Sequence, residues 1–78
     1  MASAYYAKVV NLVSSYVGAE KGPGIVERQL KYCTASADAF GAADLAKIVN
    51  YVAAASALYL PDKAKAAEMK ERIKAMAG

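Results

Sequence analysis

Few residues in this chain could do chemistry. Among 78 residues there is one cysteine, Cys33, and neither histidine nor tryptophan. Without histidine the commonest general base and metal ligand is missing, and one cysteine supports neither an intrachain disulfide nor a cysteine metal cluster. Cys33 has no imidazole to activate its thiol, and on the apolar line of a helix it reads as a small hydrophobe. The acids Glu20, Glu27, Asp38 and Asp44 fall at helix ends, in loops or on wet faces. No two share one helical spacing in an apolar setting, as paired-carboxylate catalysis requires. Lys21-Gly22-Pro23-Gly24 ahead of a helix has the outline of a phosphate-cradling loop, because amides at a helix N-terminus attract anions. It lacks the lysine and the Ser or Thr that follow the second glycine of a P-loop, and Pro23 removes an amide, so it reads as a connector. These residues argue against an enzyme and require no cofactor and no metal.

The tyrosines carry more. Tyr6, Tyr16 and Tyr59 fit core faces, but Tyr51 and Leu58 stand seven apart on the third helix, away from its main seam and near Lys47 and Ala54. An apolar pair on a wet side, with alanine between, reads as a partner surface. Tyr51 and Leu58 would supply buried contact across Ala54, and Asn50 a hydrogen bond at the rim. The competing reading is that another helix covers them, as happens when a helix is apolar on every side. In the last helix Lys63, Lys65, Lys70, Arg72 and Lys74 suggest a basic surface for anionic lipid or nucleic acid, with Lys70, Arg72 and Lys74 as the membrane-facing candidates. Its apolar side is alanine and methionine without an aromatic anchor, and its glutamates interleave with the lysines, so a solvated cover helix is the stronger reading.

The elements that position these residues follow from periodicity and breakers. Gly41 to Leu60 is the longest and most apolar stretch, with Leu45, Ile48, Val52, Ala55 and Tyr59 in one line at three- and four-residue steps. Val49, Ala53 and Ala57 widen that line, which predicts a central helix with neighbours on several sides. Gly41 is its expected N-cap, with Asp44 three residues on at the positive end, and Leu60-Pro61 its end. Ser3 caps a first helix over Ala4 to Val17, with Tyr6, Val9, Val13 and Tyr16 inward and Lys8, Asn11 and Ser15 outward; Gly18 stops it. A short second helix is expected from Pro23 to Thr34, with Val26, Leu30 and Cys33 as its apolar line. Ala35 to Phe40 connects, with Asp38 in a turn and Phe40 a contact before the central helix. Asp62 caps a fourth helix, Lys63 to Ala77, whose apolar line is Ala66, Met69, Ile73 and Met76. Glu68 with Arg72, and Glu71 with Lys74, have the spacing of helix-surface ion pairs.

The fold class expected is all-α, one domain over residues 1–78: a compact four-helix bundle with the third helix, about Ala42 to Leu60, central. About a quarter of the chain is alanine, which favours helix but buries little area. The core is therefore modest for a chain near the lower limit of independent stability, and self-association is expected. The net charge of +3 divides as five bases against four acids through Pro61 and five against three beyond it, too even for a dense polyanion-binding face. The longest uncharged run, Ile48 to Pro61, has fourteen residues, short of a membrane span of about twenty. No basic region precedes an apolar one at the N-terminus, so no signal peptide is expected and a cytoplasmic address follows.

Tyr16-Val17-Gly18, Glu27-Arg28-Gln29-Leu30, Asp44-Leu45, the run to Tyr59-Leu60 and the last helix through Met69 and Ile73 together resemble a small four-helix module of bacterial and archaeal signalling proteins, free-standing or as a C-terminal appendage. The resemblance covers Tyr16 to Met76. It departs at Gly41, where Thr or Ser is expected, and at Pro23-Gly24, which interrupts the second helix. It implies a protein-interaction or regulatory module, a homodimer among its forms, and no catalytic residue or ligand.

Overall fold

The computed structural model describes residues 3–32 and 36–77. Four helices form: α1 (Ala4–Val17), α2 (Gly22–Gln29), α3 (Ala42–Ala57) and α4 (Lys63–Ala77), with a 3-10 turn, Leu30–Tyr32, continuing α2. The chain is an all-α four-helix bundle. α3 is central in a literal sense: it packs against α1, α2, the 3-10 turn and α4.

Local signals start and stop the helices. The Ser3 hydroxyl accepts from the Tyr6 N–H at 3.1 Å, satisfying one of the free amides of the first turn of α1. Gly18 ends α1 at φ 105°, a left-handed conformation that a side chain would strain, while its N–H donates to the Ser14 carbonyl at 2.8 Å. The Gly41 N–H donates to Asp44 Oδ2 at 3.0 Å at the start of α3. Glycine offers no side-chain cap in return, so this is half of a capping box. Asp62 Oδ1 accepts from the Ala64 N–H at 2.9 Å to open α4.

Two boundaries differ from the sequence reading. α2 begins at Gly22, one residue before Pro23, and its α-helical part stops at Gln29; Thr34 and Cys33 lie outside the described residues. Gly22 is buried against α1, and a Cβ there would fall on the Ser14 hydroxyl and within 2.7 Å of its Cα. The stretch expected to be a plain connector is thus a place where two helices approach so closely that only glycine fits. α3 ends at Ala57 instead of Leu60, because Pro61 cannot donate and turns Leu60 from helical angles. The amides of Leu58, Tyr59 and Leu60 donate to carbonyls three residues back, at 3.3, 2.9 and 3.3 Å, a tightened final turn. That turn takes Tyr59 off the seam: it is exposed instead of core, and Ala57 is exposed too.

The core is one cluster. Val9 and Val13 come from α1, Ile25 and Val26 from α2, Leu45, Ile48, Val49 and Val52 from α3, and Met69 and Ile73 from α4. Each fully buried aliphatic contributes about 2 kcal/mol relative to exposure. Phe40 is buried before α3 and meets Tyr6 edge-on, centroids 5.7 Å apart. Ser56 is fully buried and its hydroxyl has no hydrogen-bond partner among the described residues.

Candidate interaction surface

The seam of α3 turns Leu45, Ile48, Val52 and Ser56 inward, which leaves the opposite side to solvent. There Ala46, Asn50, Ala54 and Leu58 follow one another at four-residue steps, and all four are exposed. Such a row is one ridge of a helix surface. From Ala46 to Leu58 the only charged residue is Lys47, so this wet side is unusually poor in charge. Leu58, the C-cap residue of α3, is 83% exposed, and Tyr51 is 46% exposed. The structure therefore brings Asn50, Tyr51, Ala54 and Leu58 to one side of α3, where all four are exposed among the described residues.

Tyr51 has one neighbour that the sequence did not reveal. Tyr32 in the 3-10 turn lies parallel to it, ring centroids 4.0 Å apart and planes 4° apart, and is itself 46% exposed. Lys31 Nζ lies 5.1 Å from the Tyr32 centroid; with Tyr51 against one face of that ring, the ammonium occupies the other. At the far end Lys21 Nζ stands 4.7 Å over the ring of Tyr59, next to Leu58 in the chain. Tyr32 follows a basic residue at the polar end of a short helix, and no periodicity marks it. Its place beside Tyr51 comes from the packing of the 3-10 turn against α3.

Beside the ridge, α3 and α4 leave a groove of about 280 Å³ lined by Leu45, Ala46, Val49, Asn50 and Lys74. Leu45 and Val49 are buried beneath it, and its polar side chains are the Asn50 amide and the Lys74 ammonium. Ala46 and Asn50 belong to both groove and ridge.

A second groove, about 400 Å³, lies between α1 and α4 and contains a polar network. The Tyr16 hydroxyl donates to Glu68 Oε2 at 2.7 Å and accepts from Arg72 Nη1 at 3.1 Å. Glu68 and Arg72, expected to pair directly, meet through this hydroxyl. The bond from Tyr16 raises the Arg72 pKa above its ordinary value. Lys65 lies 3.9 Å from Glu68 and Lys74 3.6 Å from Glu71. Of the three membrane-facing candidates, Arg72 and Lys74 thus have protein partners and Lys70 is half-buried. Among the described residues, no three of His, Cys, Asp and Glu come together as a metal site, and no helix is long and apolar enough to cross a membrane.

Compared with protein-family models, with curated proteins and with solved structures, the chain finds no match in any of the three.

Proposed function

We propose that this chain is a small non-catalytic interaction module of the cytoplasm that docks a protein through the outward side of α3. The observation that carries the reading is the exposed pair Tyr51 and Leu58 on a side of α3 nearly free of charge. An exposed leucine alone is ordinary; an exposed leucine, two stacked tyrosines and two exposed alanines on one side of a helix are a better basis for an interface. Tyrosine is enriched where interfaces concentrate their energy, and alanine lets a partner approach closely. The resemblance to a signalling module points to the same class, as does the expectation that so small a core gains from association.

The test is an affinity pull-down of the tagged chain, with the Tyr51→Asp, Leu58→Asp variant in parallel and circular dichroism on both. A partner, or a second copy, retained by the native chain and lost by a variant still helical supports the reading. Loss of helix in the variant would make the pair part of the core, and retention of the partner would move the surface elsewhere. Binding of anionic lipid or nucleic acid through α4 ranks lower, since Lys65 and Arg72 have partners within the protein and glutamates interleave with the bases of that helix.

A further inference from the structure

The charges around the α3 ridge are mostly basic. Lys47 stands on the ridge side, Lys31 and Lys21 are held over tyrosine rings, and Lys74 lines the adjoining groove. Among the described residues Lys21, Lys31 and Lys47 have no carboxylate within ion-pair distance; Lys74 has Glu71 at 3.6 Å, both largely exposed. Asp44, the acid nearest on α3, is occupied by the Gly41 amide. An apolar ridge bordered by lysines suits an apolar partner bordered by carboxylates, because opposed like charges disfavour docking.

Resting on the reading of α3 as a docking face, we infer that its occupant is an acidic amphipathic helix of another protein, laid along Ala46, Asn50, Ala54 and Leu58 with one apolar side chain in the groove between α3 and α4. The ridge is about 18 Å long at 1.5 Å per residue, enough for about three turns of a partner helix. Small residues at Ala46 and Ala54 let two helix backbones approach, Tyr51 supplies contact beside the middle of the ridge and Leu58 at its far end. The groove beside Ala46 and Asn50 receives the anchor above the buried Leu45 and Val49, and Lys74 at its edge meets a flanking carboxylate. A second copy fits less well. Two-fold pairing would set one basic rim against another, and the chain's own amphipathic cover, α4, carries five bases and two acids between Lys63 and Ala77.

The test uses synthetic peptides and ¹⁵N-labelled protein. One peptide carries leucines at helical spacing flanked by glutamate; the second has the same leucines flanked by lysine; the third has the composition of the first with the leucine spacing scrambled. The first peptide is expected to shift the amide resonances of Ala46, Asn50 and Leu58, with affinity falling on added salt and by about tenfold in a Lys47→Glu, Lys74→Glu variant. Equal binding of the lysine-flanked peptide overturns the acidic partner while leaving the docking face in place, and equal binding of the scrambled peptide overturns the helical occupant. The same shifts on raising protein concentration alone, or on adding anionic vesicles or an oligonucleotide but not the first peptide, also overturn the proposal. If nothing shifts these resonances and the pull-down recovers no partner dependent on Tyr51 and Leu58, the docking face itself falls.

Discussion

The ring of Tyr51 lies parallel to that of Tyr32, 4.0 Å between centroids, although nineteen positions separate them and both are nearly half exposed. The stacking ties the 3-10 turn to the middle of α3 at the edge of the exposed ridge. A double-mutant cycle with Tyr32→Ala and Tyr51→Ala, read by urea unfolding, is expected to give a coupling of about 0.5 kcal/mol. That is the lower end for aromatic pairs, because water reaches both rings. A coupling near zero would mean that the rings are neighbours without attraction.

Gly22 and Gly24 are two residues apart in α2 and should respond oppositely to alanine. At Gly22 a methyl collides with Ser14, including its Cα at 2.7 Å, so the backbone must move; Gly22→Ala should cost about 1–3 kcal/mol. At Gly24 nothing lies within 4 Å, so Gly24→Ala should stabilise by about 0.4–1 kcal/mol by restricting the unfolded chain. Thermal melts of both variants check this. Truncating Ser14 to alanine should not rescue Gly22→Ala, because the collision with the backbone of α1 remains.

These positions mark how far the sequence could be read. The caps at Ser3, Asp44 and Asp62, the ends of α1 and α4, and the inward line of Leu45, Ile48 and Val52 are local: each depends on residues within a turn or two. The exposure of Asn50, Tyr51, Ala54 and Leu58 was legible from their place on the side of α3 away from that line. Gly22 against Ser14 and Tyr32 against Tyr51 were not, because both depend on how one helix crosses another. Tyr59 was misread for a related reason. Its spacing extends the seam, but Pro61 ends α3 before the helix reaches it.

Ser56 is buried, and among the described residues its hydroxyl has no partner, which costs free energy without return. Ser56→Ala removes the hydroxyl and improves helix propensity, and should stabilise the protein by about 1 kcal/mol in chemical unfolding. A variant less stable than the native chain would show that the hydroxyl has a partner in solution, such as a water molecule.

Tyr6 gives the stability a pH dependence. Burial, and then the nearby charge of Glu27, raise its pKa above the ordinary 10.0. The folded state therefore holds the phenolic proton more tightly than the unfolded state does. In the window between the unfolded and the raised folded pKa the native state binds more protons, so stability falls as pH rises. The contribution is complete below about pH 10, the unfolded value, and is lost as pH climbs through the folded value. Chemical unfolding from about pH 8 to about pH 11.5 should show a decline beginning near the unfolded value (~10) that is shallower in Tyr6→Phe, whose ring still packs edge-on against Phe40. An identical decline in the variant would show that Tyr6 does not set the pH dependence.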